Sequence, residues 1–112
     1  MTESEIMKQI QLAVSKTGHK VFRNNVGMFE TIDGRRIRTG LCTGSSDLIG
    51  FTSSGRFLAI EVKYGYGKPT EEQTAFIDTV NKSGGVAFIA RSVDEALEKL
   101  KAAVLSVEFY KY

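Results

Sequence analysis

The C-terminal half of the chain alternates helix, strand and helix, and this alternation constrains the fold most strongly. Thr70-Glu-Glu-Gln73 and Ser92-Val-Asp-Glu95 each match a capping box, in which two side chains satisfy the first free N–H groups of a helix. Between them, a Gly84-Gly85 stop precedes the short apolar strand Val86–Ala90. A strand placed between two helices needs partner strands beside it and helices over its faces. The sequence therefore predicts an α/β domain.

The N-terminal half supplies one helix and the partner strands. Apolar residues at helical spacing predict a helix over residues 4–16, capped by Ser4 and ended by Gly18. Four or five short strands follow, and the predicted segments are 20–24, 27–32, 35–38, 47–51 and 57–63. Asp33-Gly34 predicts one hairpin turn, and the short join over 52–56 predicts a second, antiparallel hairpin. The sheet is expected to be mixed and covered by helices.

Length and composition set limits on the class of protein. The 112 residues suit a single domain, spanning 1–112, and 42% hydrophobic with 25% charged residues is ordinary for a globular protein. We find no apolar stretch long enough to cross a membrane, and the acidic N-terminus is unlike a signal peptide. The single cysteine, Cys42, cannot form an internal disulfide. Together these features favour a reducing cytosol.

The positive charges are few but clustered. The net charge is only +2, yet Arg35, Arg36 and Arg38 lie within four residues, and Arg23 precedes them. This group could lie against the phosphates of a nucleic acid. It could equally be the solvated turn of a hairpin, and charge alone leaves both interpretations open.

The strand over 57–63 carries an unexpected pair of charges. Side chains alternate between the two faces of a strand, so Glu61 and Lys63 share one face. The opposite face is purely apolar and consists of Leu58, Ile60 and Val62. Asp47 opens the preceding strand, and antiparallel pairing would bring it to the same end of the sheet. The cluster is either an exposed salt bridge at a strand end or a functional site.

The residue types at this strand end suit one class of ligand. Two carboxylates in close contact repel each other unless a positive charge lies between them. Mg²⁺ prefers carboxylate oxygens and keeps several waters, and the main-chain carbonyl of Val62 is a further oxygen ligand. A zinc site is not indicated, because the chain has one cysteine and one histidine, His19, far apart in sequence.

The ordered set of motifs resembles the PD-(D/E)XK nuclease superfamily, and in detail its VRR-NUC (virus-type replication-repair nuclease) branch. The core motifs are Gly44-Ser-Ser-Asp47 and Glu61-Val62-Lys63. The resemblance spans about residues 4–105 and also includes Glu5, Val21-Phe-Arg-Asn-Asn25 and Lys68-Pro-Thr-X-X-Gln73. Ser46 stands where the superfamily usually has proline. Residues 106–112 match no motif.

The resemblance implies a fold and a chemistry. It implies a restriction-endonuclease-like core, a mixed β-sheet flanked by helices in α-β-β-β-α-β-α order, in a Mg²⁺-dependent deoxyribonuclease for which Mn²⁺ can substitute. Asp47, Glu61 and the Val62 carbonyl would hold the metal, with Glu5 approaching from the first helix. Lys63 would contact the attacking water or the scissile phosphate, and Gln73 would lie beside the site. The DNA-binding residues would be Arg23, Arg35, Arg36, Arg38 and Lys68.

Two of these residues also have simpler structural interpretations. Glu5 would be favourable in the first turn of any helix, and Gln73 completes a capping box. Lys63 is expected to act as a cation that orients water, because two nearby carboxylates favour the charged ammonium over a neutral amine.

The resemblance further implies a branched DNA substrate. Stand-alone VRR-NUC proteins are viral or prophage-like and resemble Holliday-junction resolvases, which points to phage replication or repair in a bacterial or phage-infected cytoplasm. Two symmetric nicks in a four-way junction require two sites, so a homodimer is predicted. A flap or single-strand nuclease is the alternative, and a nucleic-acid-binding module with structural carboxylates is the non-enzymatic one.

Overall fold

Helices and strands alternate along the chain as far as the structure describes it. The computed structural model describes the backbone of residues 1–111 and the side chains of residues 1–105; within that range it has three helices and six strands. In chain order they are α1 (Glu3–Lys16), β1 (Lys20–Arg23), β2 (Gly27–Glu30), β3 (Arg36–Thr39), β4 (Leu48–Phe51), β5 (Phe57–Val62), α2 (Glu71–Lys82), β6 (Val86–Ala90) and α3 (Val93–Lys111). The side chains of the unmatched stretch 106–112 lie outside the described part.

Capping boxes fix the starts of the first two helices. The predicted cap of α1 at Ser4 is wrong: Thr2 is the N-cap, and its hydroxyl accepts a hydrogen bond from the Glu5 N–H at 3.1 Å. The Glu5 carboxylate in turn accepts from the Thr2 N–H at 3.0 Å. The box predicted at the start of α2 is confirmed, because Thr70 and Gln73 exchange the same two hydrogen bonds at 3.1 and 2.9 Å.

Glycines end the first two helices where the sequence predicts. Gly18 and Gly84 have φ angles of 92° and 93°, a left-handed conformation that glycine adopts without a steric cost. At the start of α3, the Ser92 hydroxyl accepts from the Glu95 N–H at 3.1 Å, while the Glu95 carboxylate pairs with Lys99. None of the helices in the described range has the length and apolar character needed to cross a bilayer.

The main sheet has four strands in the order β1-β4-β5-β6. The pairs β1–β4 and β4–β5 are antiparallel, and β5–β6 is parallel because α2 carries the chain back across the sheet. The predicted mixed sheet is therefore confirmed, and its strands with the helices read α-β-β-β-α-β-α. The remaining strands, β2 and β3, pair only with each other and form a separate hairpin.

The two faces of the main sheet are covered by different helices. α1 and α3 pack on the face that carries Leu58, Ile60 and Val62, and these three side chains are fully buried. α2 packs on the opposite face, where Ala59 contacts Val80. The alternation of β5 is thus as predicted. It places Glu61, which has the same parity as Ala59, on the α2 face.

Candidate active site

The carboxylates of Asp47 and Glu61 meet at one end of the main sheet. Leu48 lies opposite Ile60 in the antiparallel β4–β5 pair, so the residues next to them, Asp47 and Glu61, are cross-strand neighbours. The Val62 N–H donates a hydrogen bond to Asp47 Oδ2 at 2.9 Å, which holds the Asp47 carboxylate beside the strand that carries Glu61. The structure therefore brings together the two acids that strand alternation places on one face.

Glu61 is a buried carboxyl group in an environment that disfavours its charge. The residue is 2% exposed, and its Oε2 atom has no hydrogen-bond partner among the described residues. Burial, followed by the hydrogen bond and the negative charge of Asp47, raises the pKa of Glu61 from 4.5 to about 9. At neutral pH and without a cation, Glu61 therefore holds a proton against Asp47. A cation between the two groups can replace that proton.

The donor atoms at this point fit a hard divalent cation. The Asp47 and Glu61 carboxyl groups converge, and the buried Glu61 Oε2 is unpartnered among the described residues, so these groups offer the oxygen ligands that such a cation prefers. Within the described range no group of three His, Cys, Asp or Glu side chains is placed to hold a metal ion. Soft-metal ligands are placed elsewhere: Cys42 is exposed, and His19 Nδ1 accepts from the Ser53 N–H at 2.9 Å.

Lys63 lies directly after β5, on the same face as Glu61. Its N–H donates to the Ala90 carbonyl at 3.1 Å and so extends the β5–β6 ladder by one residue. The side chain is half-buried, and its positive charge opposes the effects that raise the pKa of Glu61. The charge of Lys63 is thus felt at the Glu61 carboxyl group.

Glu3 is the acidic residue of α1 that lies at this end of the sheet. The sequence-based prediction named Glu5 instead. The Glu5 carboxylate is used by the cap at Thr2, whereas Glu3 Oε2 accepts from the Tyr64 N–H at 3.2 Å. The negative charge of Glu3 also contributes to the raised pKa of Glu61. A signal for this was present, since Glu3 precedes the buried Met7 by four residues and shares its helix face.

An open cleft of about 820 Å³ adjoins Asp47 and collects further predicted residues. Arg23, at the end of β1, and Gln73, in the first turn of α2, both line it. Gln73 fills two roles, because its Oε1 caps the helix while the residue forms part of the cleft wall. Asp47, Arg23 and Gln73 thus share one cavity, although they are far apart in sequence.

Gly44 allows the loop before β4 to lie against α2. Its φ is +85°, and a Cβ at this position would lie 2.6 to 2.7 Å from atoms of Glu72. Any larger residue would push the loop away from the start of α2 and separate Asp47 from Gln73. The spacing Gly44-X-X-Asp47 thus has a steric cause.

Asn24 is a supporting residue for which the sequence analysis gave no role. It is buried, and its Nδ2 donates to Ser45 Oγ at 2.8 Å and to the Ser46 carbonyl at 2.9 Å. Its Oδ1 accepts from the Leu41 N–H at 2.9 Å. One side chain therefore holds both ends of the glycine-rich loop. The signal available in the sequence was a polar amide directly after a strand, where backbone groups need partners.

The other predicted DNA-binding residues lie outside the cleft wall. In the β2–β3 hairpin, Arg36 and Arg38 pair across from Glu30 and Met28, so they occupy the face opposite Phe29. Arg35 forms an exposed ion pair with Asp33 at 3.1 Å. Lys68 is exposed in the loop before α2. Arg23 therefore shares the cleft with Asp47, whereas four predicted cations lie outside the cleft wall. These four are Arg35, Arg36, Arg38 and Lys68.

Comparisons with known proteins identify the family and the fold. The family model of the VRR-NUC domain matches residues 3–94. A solved structure described as a VRR_NUC domain protein superposes with a TM-score of 0.57, covering 93% of this chain and 88% of its own, at 18% sequence identity. At that identity, the superposition establishes a common fold. A search of curated proteins finds no match.

Proposed function

The chain belongs to the VRR-NUC domain family, whose members are nucleases, and from that premise we propose that it is a divalent-cation-dependent DNA endonuclease. The observation that carries the proposal is the pairing of the buried Glu61 carboxyl with the half-buried Asp47, with Glu61 Oε2 lacking a partner among the described residues. Burying one acid beside a second acid is costly for a structural role alone. Such a pair of acids is useful where a protein must bind a cation tightly at one point.

The proposed cation is Mg²⁺, with Mn²⁺ able to substitute. Nucleases of this family generally depend on a divalent metal. Asp47, Glu61 and the Val62 carbonyl would hold it. Glu3 would approach from α1 in place of Glu5, because the Glu5 carboxylate accepts from the Thr2 N–H and Glu3 accepts from the Tyr64 N–H beside β5. When bound, such a cation polarises water and neutralises charge on the phosphate.

Lys63 is proposed to position the attacking water and to stabilise negative charge on the scissile phosphate. It extends from the end of β5, beside the carboxylates, and its main chain is fixed by the hydrogen bond to Ala90. An ammonium group held in this way offers three donors at one point. Gln73 and Arg23 line the adjoining cleft, where they would contact the phosphates on either side of the cleaved bond.

We propose a branched DNA substrate and a homodimer. A four-way junction presents two equivalent strands, so two copies of a single-site domain on a two-fold axis could nick them symmetrically. Such an enzyme would act in phage or prophage replication or repair, in a bacterial or phage-infected cytoplasm. Arg35, Arg36, Arg38 and Lys68 would contact DNA backbone outside the cleft.

A cleavage panel tests this proposal most directly. Duplex, flap, single-stranded and four-way-junction DNA would be incubated with Mg²⁺ or Mn²⁺, and light scattering would give the mass in solution. We expect a dimer that cuts the junction fastest. A monomer that cuts flaps or single strands faster than junctions would contradict the proposed substrate and leave the nuclease activity intact.

A metal titration separates the enzyme from a binding module with structural carboxylates. Calorimetry with Mn²⁺ should show binding to the wild type and a large loss in Asp47→Ala. Glu98→Gln, an exposed acid on α3, is the control and should bind as the wild type does. Equal binding by all three proteins would refute the proposed metal site.

A further inference from the structure

Phe29 places an exposed aromatic ring on the wall of the same cleft that contains Asp47. The residue belongs to β2 and is 58% exposed. It lines the cleft of about 820 Å³ together with Arg23, Asn25 and Asp47. Among the described residues that line the cleft, Phe29 is the only aromatic one, and more than half of its side chain is open to solvent.

The pairing of β2 with β3 determines which way the ring faces. Phe29 lies opposite Ile37, and Gly27 lies opposite Thr39, so these four residues share the hairpin face turned towards the cleft. The ring folds back along its own strand, with Cε2 3.5 Å from where a Cβ of residue 27 would lie. The ring thus lies along the strand within van der Waals range of position 27, and more than half of the side chain stays exposed.

The neighbours of the ring indicate what it binds. Arg23 can contact a phosphate, Asn25 can contact a sugar or a base edge, and Asp47 belongs to the proposed metal site. An aromatic face between such groups matches the chemistry of one nucleotide, with its phosphate on the cation and its base on the ring. A protein partner seated on Phe29 would instead cover Asp47 and exclude the substrate.

We propose that Phe29 is a stacking platform for an unpaired nucleobase next to the scissile phosphate. This inference rests on the proposed nuclease function and adds a determinant of substrate choice to it. A base inside a duplex is stacked on both sides and cannot present a free face to the ring. Single strands, flaps and the exchange point of a junction can present one, so Phe29 would favour these substrates over intact duplex.

Fluorescence of 2-aminopurine tests the proposal without requiring turnover. A single-stranded oligonucleotide with this base at successive positions would be titrated in Ca²⁺, and stacking on the ring should quench its emission. Phe29→Leu should lose the quenching and bind the strand about tenfold more weakly, and Phe29→Tyr should restore both. Phe22→Leu is the matched control, because Phe22 is 55% exposed but does not line the cleft.

Each outcome of this experiment decides one point. Unchanged quenching and affinity in Phe29→Leu would overturn the stacking role. A Phe29→Leu protein that loses quenching only because it becomes a monomer would also overturn it, since the ring would then serve an interface between copies. If the wild type cuts no DNA but shows Phe29-dependent quenching, the stacking site stands and the proposed nuclease function fails.

Discussion

Two antiparallel hairpins of similar length in this chain have opposite environments. In β4–β5, five of the six β5 residues are buried, and helices cover both faces of the sheet that contains it. In β2–β3, none of the eight strand residues is buried. The buried hairpin carries Glu61, whose raised pKa depends on exclusion from water. The exposed hairpin carries arginines and Phe29, which can meet a ligand directly.

This contrast separates chemistry from recognition. Substitutions in the buried hairpin should change turnover or the response to pH, because desolvation gives Glu61 its raised pKa. Substitutions in the exposed hairpin should change affinity and substrate preference with little effect on stability, because its side chains are not packed into the core. Five predictions test this division.

The largest effect is expected for the two acids at the strand end, Asp47 and Glu61. Asp47→Asn and Glu61→Gln should each reduce the turnover number by about 10²–10³-fold or more, the range seen when one preorganised electrostatic partner is removed. Both changes preserve shape, so circular dichroism should be unchanged. Near wild-type turnover in either purified variant would show that the site is placed wrongly.

Lys63→Ala should reduce turnover by about 10²-fold while keeping its affinity for metal and DNA. A lysine is no metal ligand, and removing one phosphate-binding group among several weakens DNA binding only modestly. Single-turnover cleavage measures the first effect, and calorimetry with Mn²⁺ measures the second. If the variant fails to bind Mn²⁺, Lys63 organises the carboxylates and does not act on the phosphate.

Glu61 should give the metal-free protein an unusual pH dependence. Its folded pKa of about 9 lies above the ordinary 4.5, so between these values the folded state holds a proton that the unfolded chain has released. The resulting stability is complete below 4.5 and is lost as pH rises through 9. The free energy of unfolding should therefore fall by up to about 1.4 kcal/mol per pH unit within this window.

Urea unfolding at pH 6 and pH 8 with a chelator measures this slope. Glu61→Gln should flatten it and be more stable than the wild type at pH 8, although it is inactive. Added Mg²⁺ should reverse the trend in the wild type, because the cation competes with the proton. A metal-free wild type that is equally stable at both pH values would contradict the prediction.

The strand-end site could be predicted from sequence because its causes are local. Alternation along β5 and the short turn after β4 are enough to place Glu61 beside Asp47. The prediction of Glu5 as the acid from α1 did not take the cap into account. Both Thr2 and Ser4 are good N-caps, but only Thr2 has an acid three residues later in Glu5, and that pairing turns Glu3 towards the sheet.

The separation of the β2–β3 hairpin could not be predicted in the same way. Its four-residue strands have turn signals as clear as those of β4–β5, with Asp33-Gly34 between them. Whether a hairpin joins the main sheet depends on pairing between strands that are distant in sequence. No local sequence pattern predicts that pairing. The depth of the cleft next to Asp47 depends on the same packing, through Gly44 and Asn24.

Gly44→Ala should destabilise the protein by about 1–3 kcal/mol and slow cleavage. The new methyl group would clash with Glu72, and alanine would also be strained at the positive φ of this position. Gly55→Ala is the matched control. Gly55 has nearly the same φ, +86°, but open space where its Cβ would lie, so it should show the backbone strain alone. The difference in melting temperature between the Gly44→Ala and Gly55→Ala variants measures the effect of the clash with Glu72. Equal melting temperatures would mean that the position of the loop does not depend on its contact with α2.

The smallest effect is expected on the outer face of the exposed hairpin. Arg35, Arg36 and Arg38 lie away from the cleft wall, so replacing all three with glutamine should leave metal binding and turnover unchanged. For every arginine that binds a phosphate of duplex DNA, its replacement should lower the slope of log affinity against log salt by about 0.9. The total change is expected to correspond to fewer than three phosphates, because Arg35 is already paired with Asp33.

Arg23→Gln offers the comparison inside the cleft and should reduce turnover as well. If the triple variant slowed single-turnover cleavage as much as Arg23→Gln, the hairpin would have to fold its arginine face onto the scissile phosphate when DNA binds, and the division between the two hairpins would fail.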